Sequence, residues 1–277
     1  MILGNAAFSV QPTHAQPAAG SLFLCFQNDT VLLSSAGGAF HLPVWAQALS
    51  LLPKVFRPFE LAHAGQTAVF SPHPFQKGFI PEGNGLCYQN IGVFRQMENN
   101  EASILASGWH LWNWYDKSRF CGHCGKPLKP DDVERAVRCE ACGQLSFPTI
   151  APAIIVAITR GDRILLAQNA HSAAARYALI AGYVEVGETL EHAVHREVLE
   201  EVGLRLLSLR YIGNQPWGIS GSQMFAFHAE AAQDGPITLQ RSELSDARWF
   251  SRGELEPRDH TVSIAFELIE RFRTGRL

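Results

Sequence analysis

The chain has 277 residues, of which 47% are hydrophobic, so it can bury substantial cores, and its length suggests two domains or a pair with a small insert. Its 23 basic and 26 acidic residues give a net charge of -3, which excludes a chain-wide attraction to nucleic acid or anionic membranes. The N-terminus lacks the basic region and apolar core of a secretion signal, and no stretch approaches the roughly 18 apolar residues of a membrane span. A cytoplasmic protein is favoured.

Residues 1–115 form the first predicted domain. Short apolar runs such as SLFLCF and TVLLS, broken by Gly, Pro and Asn, predict strands and turns, and no catalytic pattern is present. The segment from Ile104 to Lys117 predicts a helix whose Trp109, Trp112 and Trp114 supply packing area. Because this helix leads directly into the next module, we expect it to dock the first domain onto that module.

The second module, residues 116–147, carries two Cys-x-x-Cys pairs separated by 14 residues, each closed by a glycine. Such paired turns aim four thiolates at one zinc ion, which predicts a closed structural site formed by Cys121, Cys124, Cys139 and Cys142. Two disulfides are disfavoured in a reducing compartment, and a redox pair is the weaker alternative. His123 lies between two ligands and is interpreted as a bystander.

Residues 148–277 form the third predicted domain. A strand from Ala153 to Thr159, a turn at Gly161 and Asp162, and a second strand to Gln168 predict a hairpin. Further strand-like runs are YALIAG, LRLLSLRYIG, MFAFHAEA and ARWF, and the final segment HTVSIAFELIERFRTG has helical spacing. This order of elements predicts a mixed sheet sandwiched by helices.

The densest acidic charge lies between Gly182 and Leu204, in GYVEVGETLEHAVHREVLEEVGL. Thr189 is a suitable N-cap and Gly203 a suitable C-terminal cap, so the sequence predicts a helix from Thr189 to Val202.

Three glutamates of this helix lie on or beside its apolar face. On a helical wheel Glu197 and Glu201 fall within that face and Glu200 lies at its edge. Carboxylates that point inward cost several kcal/mol to desolvate unless a cation compensates them, so a merely solvated acidic surface does not explain their position. A hard divalent cation resolves both the burial and the repulsion, and the pattern therefore predicts metal-assisted phosphate chemistry.

The same stretch resembles the signature of the Nudix hydrolases. Gly182, five residues, Glu188, seven residues, and then REV, one residue, EE, one residue and GL from Arg196 to Leu204 match it at every fixed position. The resemblance implies an α/β/α sandwich whose loop and helix bind magnesium or manganese and hydrolyse a nucleoside diphosphate linked to another group.

Within that family, the four-cysteine ribbon followed by FP, LIAGYVEVGE and SIAFELI is similar to the NADH pyrophosphatases, and the N-terminal third matches less well. The resemblance implies an N-terminal α+β domain, a zinc ribbon and a Nudix domain with a mixed sheet. It also implies cleavage of NADH or NAD to nicotinamide mononucleotide and AMP, removal of NAD caps from RNA, and a homodimer.

The resemblance further implies the roles of individual residues. The catalytic group comprises Arg196, Glu197, Glu200 and Glu201; the magnesium or manganese ligands are Glu197, Glu200, Glu201 and Glu243; the substrate-binding residues are Phe147, Tyr183, Gln215, Trp217 and Ala265. Glu201 is the residue most needed for chemistry, as a ligand or as the base, and Arg196 holds the helix carboxylates in place. For Glu243 a surface charge is the alternative, and for Phe147 and Tyr183 a place in the core.

One stretch departs from the NADH pyrophosphatase pattern. Where that group has SQPWPFP, any residue and Ser, this chain has NQPWGISGS from Asn214 to Ser222. Two stiffening prolines and an aromatic residue are replaced at Gly218, Ile219 and Ser220, so we expect weaker discrimination for the nicotinamide half of the substrate. The alternatives are a Nudix enzyme for ADP-ribose or diadenosine polyphosphates, and a nucleotide-sensing or nucleic-acid-binding module without catalysis. The intact glutamate set argues against the last.

Overall fold

The computed structural model describes residues 8–9, 16–54, 56–64, 67–75, 80–171, 176–232, 235–257 and 262–277. Its contacts divide the chain into two compact units. The N-terminal unit falls within residues 4–149 and includes Gly218–Gly221; the C-terminal unit comprises Ile150–Trp217 and Ser222–Leu277. The predicted ribbon region is grouped with the N-terminal unit.

The N-terminal unit consists mainly of short strands, as predicted. Its elements are β1 (Phe8–Ser9), β2 (Leu22–Phe23), β3 (Phe26–Gln27), β4 (Thr30–Ala36), β5 (Ala39–His41), α1 (Trp45–Ala48), β6 (Pro58–Ala64), β7 (Thr67–Pro72), β8 (Leu86–Asn90), α2 (Asn99–Lys117), β9 (Leu128–Pro130), β10 (Val137–Cys139) and β11 (Leu145–Ser146). Strands pair in the orders β1-β6-β7-β2, β3-β4-β5 with β8 on β4, and β11-β10-β9. The last of these sheets is the ribbon.

Helix α2 confirms the predicted helix but begins five residues earlier, at Asn99 rather than Ile104. Its first turn is polar and carries no apolar periodicity, which is why the pattern missed it. Trp109 and Trp112 stack at 5.4 Å and each lies 5.5 Å from the ring of Phe26, so these two tryptophans provide packing area as predicted.

The C-terminal unit is built on one mixed sheet. Its elements are β12 (Ala151–Arg160), β13 (Arg163–Asn169), β14 (Tyr177–Ala178), β15 (Ile180–Tyr183), α3 (Leu190–Val202), β16 (Leu206–Trp217), β17 (Ser222–Ala231), β18 (Leu244–Ser251) and α4 (Ile264–Arg273). Strands β12 and β17 run parallel, and the other pairs are antiparallel. The start of the predicted final segment, residues 260–261, lies outside the described residues.

Alternate residues of β12 pack on opposite faces of this sheet. Ile154, Val156 and Ile158 belong to a core that includes Ala193, Val194 and Val198 of α3. Ile155 and Ala157 belong to a second core that includes Ile264, Leu268 and Phe272 of α4. Helices therefore cover both faces, and the predicted α/β/α sandwich is confirmed.

Among the described residues, no helix is both long and apolar enough to cross a bilayer.

Candidate active site

Helix α3 begins and ends where its local signals predict. The Thr189 side chain accepts a hydrogen bond from the His192 N–H at 3.2 Å and so satisfies one free donor of the first turn. Gly203 adopts the left-handed conformation with a φ of 69°, and its N–H binds the Leu199 carbonyl. These caps fix the position of the glutamates between them.

The three helix glutamates differ sharply in exposure. Glu201 is buried at 7% exposure, and the side chain of Glu197 is 12% exposed. The side chain of Glu200 is 52% exposed. This gradient agrees with their predicted positions on the apolar face and at its edge. Glu200 lies at the surface, and Glu197 and Glu201 lie in the interior.

The guanidinium group of Arg196 donates hydrogen bonds to four residues. Nε and Nη2 donate to the two carboxylate oxygens of Glu188, each at 2.9 Å, while Nη1 donates to Glu197 at 2.8 Å and to Glu200 at 3.2 Å. Nη2 also donates to the Tyr183 carbonyl at 3.0 Å. The fork geometry of arginine suits such bidentate pairing, and the bond from Arg196 lowers the pKa of Glu188 to about 2. Arg196 therefore has the geometry predicted for a residue that holds the carboxylates in place.

Gly182 has a role that sequence reasoning missed. A Cβ at this position would overlap the carboxylate of Glu197. The absence of a side chain on β15 therefore allows Glu197 to lie against the strand. The fixed spacing between this glycine and the helix was visible in the sequence, but its long-range partner was not.

In this cluster the pKa of Glu201 is strongly raised. Burial and, to a smaller extent, the charges of the neighbouring Glu197, Glu243 and Glu200 together raise its pKa from 4.5 to about 8. A buried carboxyl surrounded by acids is a typical feature of a functional site.

Glu243 lies in the turn just before β18, which brings it toward Glu201. Its carbonyl accepts the Ala170 N–H at 2.7 Å, and its carboxylate accepts a bond from Gln240 at 3.1 Å. Although Glu243 is exposed, its charge contributes to the raised pKa of Glu201. The two glutamates are therefore electrostatic neighbours despite 41 intervening positions in sequence, as a role in one ion site requires.

The chemistry of these donors fits a divalent cation. Carboxylate oxygens are the preferred ligands of hard ions, and a double positive charge beside Glu201 would offset the burial and repulsion that disfavour its ionised form. Such an ion would supply polarisation of phosphate oxygens and activation of water.

Two of the predicted substrate residues present exposed rings. Phe147 and Tyr183 are each 53% exposed. Phe147 belongs to the N-terminal unit and Tyr183 to the C-terminal unit, where the Ser222 hydroxyl donates to the Tyr183 oxygen at 3.4 Å. Exposed rings are available for stacking on a base, so neither is the core residue that remained as the alternative.

Gln215 is fully buried and uses both ends of its amide inside the unit. The Nε2 group donates to the Val262 carbonyl at 3.2 Å, and the oxygen accepts the Ile264 N–H at 2.7 Å. Because no part of this side chain is exposed to a ligand, we assign Gln215 a positioning role instead. It holds the first turn of α4, where half-buried Ala265 lies; Trp217 is half-buried at the end of β16.

The altered loop, which is the stretch Gly218–Gly221 where the sequence departs from the NADH pyrophosphatase pattern, packs closely against α2. Residues Gly218–Gly221 belong to the N-terminal unit, and a Cβ at Gly218 would overlap the backbone oxygen of Ala106 on α2. Gly218 thus accommodates a close approach of two backbones, in addition to the conformational freedom expected from its sequence.

The four cysteines form the predicted cluster. Their sulfur atoms all lie within 4.8 Å of one another, with Cys121 and Cys142 separated by 3.7 Å and Cys124 and Cys139 by 3.5 Å. Tetrahedral zinc with bonds of about 2.3 Å places its sulfurs about 3.8 Å apart, whereas a disulfide bond is about 2.05 Å long. The geometry therefore fits one zinc ion and excludes the disulfide alternative.

Backbone N–H groups favour the thiolate form of two cysteines in this cluster. The N–H groups of Cys124 and His123 lower the pKa of Cys121. The N–H of Cys142 leads a similar set that lowers the pKa of Cys139 to about 7. Since zinc binds thiolates, these N–H groups prepare Cys121 and Cys139 for the ion. The neighbouring Cys139 thiol raises the pKa of Cys124, and burial and Cys139 raise that of Cys142.

Comparisons with known proteins identify two domain families in this chain. Residues 149–272 match the NUDIX domain family, and residues 116–147 match the NADH pyrophosphatase zinc ribbon domain. A protein named NAD-capped RNA hydrolase NudC from Haemophilus influenzae (strain PittGG) is 39% identical over 210 residues, covering 74% of this chain and 79% of that protein. The protein of the same name from Salmonella typhimurium (strain LT2) is 41% identical over 184 residues, covering 65% and 71% respectively.

Proposed function

Because the chain belongs to the Nudix hydrolases that carry the zinc ribbon of NADH pyrophosphatases, we propose that it hydrolyses the pyrophosphate bond of NADH and NAD. The products are nicotinamide mononucleotide and AMP, and the same bond is cleaved in an NAD cap on RNA. The observation that carries the proposal is the glutamate cluster, in which a buried acid, Glu201, lies among three other carboxylates on a scaffold fixed by Arg196.

The catalytic ion in this proposal is magnesium or manganese, held by Glu197, Glu200, Glu201 and Glu243. Both ions accept carboxylate oxygens while keeping positions for water and phosphate. Zinc is confined to the cysteines, since four thiolates close its coordination shell and leave no position for a substrate.

Other steps of the reaction, namely proton transfer, positioning of the acids and substrate binding, are assigned to individual side chains. Glu201 accepts the proton of the attacking water or serves as an ion ligand, and the P–O bond between the two phosphates breaks as the new P–O bond forms. Arg196 holds Glu197 and Glu200 in register, so that the acids need not reorganise during the reaction. Tyr183 stacks on the adenine, while Trp217 and Ala265 complete the substrate contacts within the C-terminal unit.

We also propose a cytoplasmic homodimer. A reducing compartment keeps four thiols available for zinc. The edge strand β16 exposes Leu207 at 67% and Tyr211 at 49%, which supports contact with a second copy. Light scattering of the purified protein tests this directly, and a monomer at micromolar concentration would contradict it.

Product analysis tests the reaction. The purified protein is incubated with magnesium or manganese and with NADH, NAD, NAD-capped RNA, ADP-ribose or diadenosine polyphosphates, beside the Glu201→Gln variant. We expect nicotinamide mononucleotide and AMP from the first two substrates and a 5′-monophosphate RNA from the third. Failure of the wild-type protein to exceed the variant on all three would refute the proposal, whereas faster cleavage of ADP-ribose or diadenosine polyphosphates would support the alternative substrates.

A further inference from the structure

A large cavity lies within the N-terminal unit. Its volume is about 1000 Å³. One wall comes from β6 and the end of β7, and the other from the ribbon segment between Lys129 and Glu140. Pockets for small ligands have volumes of roughly 300 to 1000 Å³, so this cavity has room for a nucleotide and the start of a neighbouring one.

The first wall carries a continuous row of rings. Phe59 meets Tyr115 edge to face at 5.3 Å and His73 at 5.5 Å, and His73 meets Phe75 at 6.0 Å. Tyr115 is buried, but Phe59, His73 and Phe75 are only half-buried and line the cavity. Half-exposed rings offer faces and edges to a planar heterocycle, and stacking on aromatic side chains accepts any base.

Two arginines lie at the aromatic end. Arg57 is exposed and lies near His73, whose pKa is lowered first by burial and then by the charge of Arg57. Arg135 is half-buried, and its Nη1 donates to the Leu61 carbonyl at 2.8 Å. The carboxylate of Glu60, which also lines the cavity, lies close enough for its charge to act on Arg135. A guanidinium group in such a partly desolvated position interacts more strongly with an anion than one in bulk water does. Because two arginines face one carboxylate here, this end of the cavity carries net positive charge and suits a phosphate group.

Several charges on the ribbon wall are already used by the ribbon itself. Asp131 accepts the N–H groups of Val133 and Glu134 and binds Arg138 at 2.6 Å. Lys129 binds Glu140 at 2.7 Å. With these pairs formed, the cavity is not the basic stripe that a polyphosphate or long nucleic acid requires.

The remaining acids suggest what the ribbon wall recognises. Asp132 and Glu134 are exposed and line the cavity. Carboxylates repel phosphate but accept hydrogen bonds from ribose hydroxyls, as they do in dinucleotide-binding folds. An aromatic wall, a basic end and an acidic rim thus match the three parts of a nucleotide.

We propose that this cavity binds one ribonucleotide unit, with its base against Phe59, His73 and Phe75, its phosphate at Arg57 and Arg135, and its ribose at Asp132 and Glu134. The unit can come from a free 5′-nucleotide or from a single-stranded RNA. Both sources present the same base, ribose and phosphate, so the test must distinguish them.

The test measures binding to the full-length, zinc-loaded protein without added magnesium or manganese, so that no hydrolysis occurs. The probes are AMP and an uncapped hexa-adenylate RNA, each also used in an 8-azidoadenine form that labels its site on illumination. Arg57→Gln alters an exposed residue and should fold normally, and Phe59→Leu removes one ring. Arg205→Gln, also exposed but in the C-terminal unit, is the matched control.

We expect Arg57→Gln and Phe59→Leu each to weaken binding about tenfold, the effect of losing one charged or one stacking contact. The label should fall on peptides containing residues 57–75 or 129–138. A loss in the AMP arm identifies a free nucleotide as the ligand, and a loss confined to the hexa-adenylate arm identifies RNA.

The proposal is overturned if Arg57→Gln binds both probes within twofold of Arg205→Gln, or if all label lies on peptides of residues 147–265. Neither result would bear on the hydrolysis of NADH, because no turnover enters the measurement.

Discussion

The burial of Glu201 makes the stability of the protein depend on pH in an unusual direction. The native state raises the pKa of this carboxyl from 4.5 to about 8, so between these values the native protein holds a proton that the unfolded chain has lost. The free energy of unfolding then falls as the pH rises, by about 1.4 kcal/mol per pH unit. Over the whole interval the loss is roughly 5 kcal/mol, a large part of the stability of a typical domain.

The Glu201→Gln variant isolates the contribution of this one carboxyl to the pH dependence of stability. Glutamine has the same volume as glutamate and cannot titrate, so the variant should lose the downward slope between pH 5 and 8. Chemical denaturation is measured in buffer without magnesium or manganese, and metal analysis verifies that zinc is retained. Glu191→Gln, an exposed residue in the first turn of the same helix, removes an equal charge and should keep the wild-type slope.

Addition of a divalent cation completes the measurement. Magnesium or manganese should restore the stability of the wild-type protein at pH 8, because ion binding stabilises the native state and displaces the proton of Glu201. The variant should respond much less. Equal slopes in wild-type and Glu201→Gln proteins, with equal responses to the ion, would refute the conclusion that Glu201 is a desolvated acid in an ion site.

The remaining predictions address catalysis, zinc and the altered loop. Glu201→Gln should reduce kcat for NADH at least about a hundredfold, since it removes a base or ion ligand, and retention of a tenth of the activity would contradict either role. Cys124→Ser should lower both the zinc content and the Tm, because the ion contributes folding free energy; a zinc-free variant with an unchanged Tm would exclude a structural role. Gly218→Ala should cost about 1 to 3 kcal/mol of stability through its overlap with Ala106, whereas Gly20→Ala, which meets no atom within 4 Å, should cost little; equal denaturation midpoints would contradict this packing.

Features that depend on neighbouring residues in sequence were predictable in detail. The bounds of α3 follow from Thr189 and Gly203, whose capping roles need only the helix itself. The zinc cluster follows from two turns of fixed spacing, and the place of Glu201 follows from helical periodicity. Each of these signals lies within a few residues of the feature that it predicts.

Features that depend on distant segments were not predictable from this sequence. Gln215 is a polar residue in a strand, and only the approach of Val262 and Ile264 shows that its amide serves the start of α4. Likewise no residue near Glu243 in sequence indicates its electrostatic interaction with Glu201, which the turn before β18 makes possible. In both cases the sequence specifies the donor or acceptor, but the fold selects its partner.

Three glycines show the same difference between local and long-range causes, here in steric terms. Gly203 needs glycine for a local reason, since its φ of 69° disfavours a side chain whatever surrounds it. Gly182 and Gly218 need it because another segment, Glu197 in one case and Ala106 in the other, occupies the space of a Cβ. A motif position of the second kind can change only together with its partner. Restoring proline at Gly218 would therefore test the packing on α2 before it tests substrate selection, and the loop can be exchanged for its relatives' sequence only if Ala106 and its helix move as well.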